Sequence, residues 1–439
     1  MGEWCADHLK DLQGWKDEGL EISMVSNETA KLFDSTVRQL VSYRDCDSMG
    51  GFLVTLNKTL ENEPNAVMPR AFNLGIHALG TGLSVDDHEY GDKIESLLSD
   101  AKKFGNKREL LHANAVKAIA TGNSKQALVY YEQILAEHPT DLMALKFSQN
   151  AYLFTGNSYG IRDSVGRVVN HYSNQDPMYP FVLGMQAFGL EETNMIPEAE
   201  KVAKHALTLR KEECWATHAL SHCFEMTNRH TEGIEMLEST AEYWRPGWII
   251  ECHNLWHWAL FYYDLENYDK SLQIYDEYIR KIFNKQQSVL DLTDAASLLY
   301  RLELKGVNVG KQRWEELLPV AYFHINNHSY AFNDPHIAFV LTKCGETDKM
   351  KEFIEINESY ESEHFTDVSF NTRNFSTPVI KAVDSFSAAN YQNCFDLLYP
   401  IRSQFNHMGG SNAQRDVITQ LLITSGFLVN NFEYRVKAL

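Results

Sequence analysis

Of the 17 histidines in this 439-residue chain, four fall into two HxxxH pairs, His218 with His222 and His253 with His257. On a helix, a four-residue spacing puts both rings on one face one turn apart, so each pair can aim two imidazoles at one point. Glu225, three residues after His222, extends the first stripe with a carboxylate, and Trp256 lies within the second pair. Imidazole is the commonest protein ligand for zinc and related divalent metals. Three such rings with a carboxylate and a water would form an open, hydrolytic centre in which the carboxylate acts as base. Two other readings use the same residues. The rings can fill polar gaps by hydrogen-bonding one another and Trp215, Trp256 and Tyr243. They can also hold an organic ligand or peptide as neutral imidazoles flanked by aromatics. Cys214 would add a thiolate to a metal set, although a small buried thiol is its plainer role. His336, with Asp334 nearby, reaches the cluster only if the chain curls tightly. There is no HExxH or other compact metal signature.

A second candidate lies in GGSNAQRDVITQLLI. Gly409 and Gly410 permit a turn and Ser411 or Asn412 can cap a helix, which leaves amides beside Arg415 able to receive an anion. The plainer reading makes this a loop and cap, with Arg415 and Asp416 tying the last long helix to its neighbour. A GxxxxGK[ST] phosphate loop is absent.

The elements that must position these residues are helices. Seven segments share one pattern, a polar or glycine start, a small residue five positions on and an apolar residue four later: GNSKQALVYYEQIL, GNSYGIRDSVGRVV, NMIPEAEKVAKHAL, NRHTEGIEMLESTA, ENYDKSLQIYDEYI, GETDKMKEFIEI and ANYQNCFDLLYPI. Their aligned positions are Ala127, Ile161, Ala199, Gly233, Ser271, Met350 and Cys394, at intervals of 34, 38, 34, 38, 79 and 44 residues. The first four sit near the 34-residue tetratricopeptide period, and the fifth is two periods with an insertion. Apolar-periodic stretches such as 142–154 and 214–226 precede them, so each unit is a helix pair that buries its apolar face only by stacking on the next. The expected fold is an all-α, tetratricopeptide-type helix-pair solenoid, a right-handed superhelix with degenerate terminal repeats. Three regions are expected: an N-terminal helical cap over 1–105, where Pro64 and the Gly80 to Leu83 turn separate helices, the repeat array over 106–285, and divergent helical repeats over 286–439.

The chain resembles the tetratricopeptide repeat protein 38 family, in WKDEGLEISMVSNETAKLFD, HPTDLMALKFSQNAY, ECHNLWHWAL, LDLTDAASLLYRLELKGV and GGSNAQRDV, which together span nearly all of it. The resemblance implies no established activity. In proteins of this repeat type, His218, His222, Glu225, His253 and His257 would occupy positions that face the groove. Chaperone-binding members clamp a peptide carboxylate with basic and amide residues. Lys146 and Asn150 match that clamp, but Met185, Trp215 and Ala219 replace its remaining donors, which argues against a chaperone C-terminal peptide.

Composition narrows the partners. The formal charge of −19 and the lack of a Lys/Arg run oppose nucleic acid binding. Seven scattered cysteines without CxxC spacing fit reduced thiols in a cytoplasmic protein. The first residues lack a signal peptide's apolar run, no stretch has membrane-spanning length, and Ala6 stands where acylation at Gly2 would need Ser or Thr. The function expected is a non-enzymatic scaffold binding a protein, peptide or small ligand in its concave groove. The alternative is a metal-binding protein, or a metal-dependent hydrolase using zinc or another divalent ion at the histidine cluster.

Overall fold

The computed structural model describes residues 4–81, 83, 87–328 and 330–438. Gly2, named above for acylation, and residue 82 of the Gly80 to Leu83 turn lie outside them. Among the described residues there is no β-strand, only an isolated bridge between Arg44 and Gly247. The chain forms two compact units, residues 1–152 with 158–254 and residues 153–157 with 255–439.

The repeat is written into the backbone as a left-handed turn. Gly122, Gly156, Asn194, Asn228, Glu266, Gly306, Gly345 and Ala389 all have positive φ, between 56° and 83°. They recur at intervals of 34, 38, 34, 38, 40, 39 and 44 residues. At seven of the eight, all but Gly156, the amide of the following residue reaches back to a carbonyl of the helix just left. Examples are Met195 N–H to Leu190 O at 2.9 Å and Asn267 N–H to Tyr262 O at 2.8 Å. This is the glycine-type helix stop, which satisfies carbonyls that a helix end otherwise leaves bare. Gly306 divides the 79-residue interval, because Val289–Leu304 and Lys311–His324 form the missing pair.

Five residues beyond seven of these turns lie the aligned small or apolar positions. Ala127, Ile161, Ala199, Gly233, Ser271, Met350 and Cys394 are all buried. They sit where the second helix of each pair presses on the first, as in Tyr179–Glu191 against Ile196–Leu209 and Asn333–Cys344 against Thr347–Glu363. The chain is therefore an all-α protein of stacked helix pairs.

In the first unit, Pro64 falls between Phe52–Asn62 and Val67–Ile76, as expected of a residue that interrupts the helical ladder. One polar knot links successive pairs there. Asp141, buried, takes Arg108 Nη1 at 2.6 Å and His112 Nε2 at 2.9 Å, and caps its own helix through Ala144 N–H at 2.9 Å. Burial alone would raise this carboxyl, but the His112 and Arg108 charges hold it well below the usual carboxylate range. In the second unit Trp256 and Trp314 are fully enclosed, and the Arg301 guanidinium lies 5.3 Å from the Trp256 ring while donating to Ala413 O at 2.6 Å.

Candidate metal centre

Helix Cys214–Met226 places the first histidine pair. Its start is fixed by Glu213, whose carboxylate accepts the Trp215 N–H at 3.2 Å and the Ala216 N–H. One and two turns on, His218 and His222 are each 1% exposed, and their Nε2 atoms lie 3.0 Å apart. The rings stand almost perpendicular, at 83°. His253, half-buried on the next first helix, brings its ring centroid to 4.8 Å from that of His218. The two helices are held in register by Asn254, whose side-chain amide donates to Cys214 O at 3.3 Å. A ring nitrogen from each of His218, His222 and His253 lies within 4.8 Å of the others.

The other side of His222 faces a carboxylate. Its Nδ1 is 3.3 Å from Oε2 of Glu191, which is fully buried at the end of helix Tyr179–Glu191. Glu192 completes a second acid–histidine group there and accepts from Ser158 Oγ at 3.4 Å. Phe188 packs on both rings, 5.2 Å from His218 and 5.5 Å from His222, and Trp215 closes the other flank at 4.6 Å from His218.

This geometry suits a cation. A tetrahedral metal with bonds of about 2.0 Å needs ligand atoms roughly 3.3 Å apart, close to the 3.0 Å between the two Nε2 atoms. If the proton of His222 sits on Nδ1, 3.3 Å from Glu191 Oε2, the Nε2 lone pair of His222 is turned toward His218. A proton or a metal ion must then lie between the two rings. The carboxylate–histidine arrangement fixes the tautomer and raises the basicity of a ligating imidazole.

The remaining sequence candidates are placed as follows. His257 follows His253 by one turn on the continuous helix Ile250–Asp264 and is buried, within the second unit, as is Trp256. Glu225 is half-buried, and a carboxylate also meets His222 from Glu191, 34 residues earlier, the same repeat position one unit back. His336, in the second unit, hydrogen-bonds Phe332 O through Nδ1 at 2.9 Å, while Ser376 donates to Asp334. Arg415 is committed to its own turn, donating to Gly410 O and to Asn412 Oδ1 at 2.6 Å, and Ser411 caps the helix with Gln414 answering. Cys214 is a buried thiol facing Ser42 O at 3.5 Å, and burial pushes its pKa up.

Sequence reasoning missed the role of Lys146 as well as Glu191. Its ammonium is buried between Tyr43 and Trp215, 4.0 and 4.8 Å from the ring centroids. Burial pushes this amine down to about 7, opposed by the charge of the neighbouring Glu213. Burial likewise pushes the neighbouring Glu213 up to about 8. Lys146 is thus enclosed between Tyr43 and Trp215 instead of presenting a free clamp.

No family model matches the chain. Among solved structures, it is similar to the crystal structure of the APC/C hetero-tetramer Cut9–Hcn1, at 12% identity over 95% of this chain and 77% of that one, with a TM-score of 0.41. It is also similar to the human IFIT1 dimer with m7Gppp-AAAA, at 15% identity over 99% of this chain and 98% of that one, with a TM-score of 0.38. Likeness at this level bears on neither ligand nor partner. The helix-pair assignment rests on the recurring turns and buried positions described above.

Proposed function

We propose that this protein is a non-enzymatic helical-repeat binding scaffold whose first unit carries a divalent-metal centre, with His218, His222 and His253 as ligands. The observation that carries the reading is His222, set between the Nε2 of His218 at 3.0 Å and the carboxylate of Glu191 at 3.3 Å. Glu191 lies at the Nδ1 of His222, the side of that ring away from His218, a position suited to orienting a ligand. Binding therefore fits better than hydrolysis. His257, one turn beyond His253, extends the second pair in the HxxxH spacing.

On this reading the chain belongs with the tetratricopeptide repeat protein 38 family, and works in the cytoplasm on a protein or peptide partner. Its acidic balance favours a basic or neutral one. No helix among the described residues is long and apolar enough to cross a membrane.

Elemental analysis of protein purified without a histidine tag tests the metal. We expect close to one zinc, iron or manganese per chain, lost in His222→Ala. Metal-free protein whose thermal stability does not respond to added zinc would leave only the alternative that the 3.0 Å contact is a hydrogen bond between neutral imidazoles.

A further inference from the structure

A separate cleft of about 570 Å³ lies wholly within the first unit, between the N-terminal segment at Trp4 to Lys10, the turn at Tyr172 to Met178 and Arg210 at the end of helix Ile196–Leu209. Its volume falls in the range of roughly 300–1,000 Å³ typical of small-molecule sites. We propose that this cleft is a binding site for a small organic monocarboxylate with an apolar body.

The argument rests on which charges are already spent. Lys10 is paired with Glu18 at 2.7 Å, and Arg38 with Asp34 at 2.7 Å. Arg38 also donates to the carbonyls of Trp4, Asp7 and His8, at 3.0, 3.0 and 3.2 Å, which pins the N-terminal segment as a preformed wall. Arg210 differs. Its guanidinium lies 4.4 Å from the Trp4 ring, a half-buried cation whose Nε has no acceptor among the described residues. Trp4 Nε1 and the hydroxyl of Tyr172, 7% exposed, are likewise buried donors without a partner among those residues. A carboxylate has two oxygens spaced to receive the Arg210 fork and capacity left for such donors. Asp7 and Asp176 also line the cleft; their charge opposes any anion and a dianion such as a phosphate monoester about twice as strongly, so a single negative charge is the one best matched to Arg210. Trp4, Leu142, Pro177 and Met178 offer apolar surface to the rest of the ligand.

The test is ligand-observed saturation-transfer NMR on the full chain with phenylacetate, phenylacetamide and phenyl phosphate. The proposal expects saturable binding of phenylacetate, at least about tenfold weaker binding of the isosteric amide and of the phosphate, and a comparable loss in Arg210→Gln. Tyr172→Phe should weaken phenylacetate about three- to tenfold. The ligand comparison is made on unaltered protein and so stands if a variant fails to fold. Absence of saturable phenylacetate binding, equal binding of acid and amide, or unchanged affinity in a folded Arg210→Gln would each overturn it. The cleft shares no residue with the histidine cluster, so neither outcome bears on the metal reading.

Discussion

The Oε2 of Glu191 lies 3.3 Å from Nδ1 of His222, although the two residues come from neighbouring helix pairs. Stacking, not sequence proximity, makes this contact. A carboxylate at the end of one first helix meets an imidazole in the middle of the next, whose other nitrogen lies 3.0 Å from His218 Nε2.

If Glu191 orients a ligand without being one, replacing it should weaken the metal without abolishing the site. Glu191→Gln is expected to bind one metal per chain at saturation, with affinity reduced about 10- to 100-fold in competition with a chromophoric chelator. Complete loss of binding would make Glu191 a direct ligand, and unchanged affinity would remove its role.

The second unit should lose stability on acidification through His336. Burial, aided by the charge of Arg301, pushes this imidazole down to about 3, against the acceptor Phe332 O. The unfolded chain takes up the proton near pH ~6.5, which the native ring refuses. The contribution is therefore fully present above about pH 6.5 and declines as pH falls toward about 3, by up to ~1.4 kcal/mol per pH unit. Urea unfolding between about pH 7 and 4.5 should show a shallower pH slope in His336→Gln. Equal slopes would mean that the ring titrates normally in the native state.

Ala389 is the one turn residue in the repeat series that has neither glycine's freedom nor a polar side chain, and it is held at φ 56° in an exposed position. Ala389→Gly removes the clash between Cβ and the backbone, offset in part by the greater freedom of glycine in the unfolded chain. The net expectation is a gain of about 0.5–1 kcal/mol, read from denaturant midpoints. A loss would show that this turn is not strained.

The fold was legible because its signals are local. Gly122, Gly156, Asn194 and Asn228 stop helices by their own backbone preferences, and Ala127, Ala199 and Gly233 mark where two helices come close, so a single sequence carries both. The two histidine pairs were legible for the same reason, since HxxxH spacing fixes a face whatever surrounds it. Partnership between units was not. Glu225 and Glu191 occupy the same repeat position, and nothing local distinguishes the copy in the same helix as His222 from the copy that packs against it. Lys146 matched a peptide clamp by position, yet Tyr43, about a hundred residues earlier in the chain, closes over it. The Arg210 cleft left no trace in spacing, because its walls come from segments far apart in the chain.

The central claim, that His218 and His222 hold a metal between them, is tested most directly by cobalt(II) titration followed through visible d–d absorption. The account predicts a tetrahedral-type band that saturates at one cobalt per chain, is displaced by zinc, and is missing from a folded His218→Ala/His222→Ala variant. A titration with no such band, or with the same band and end-point in that variant, would contradict it.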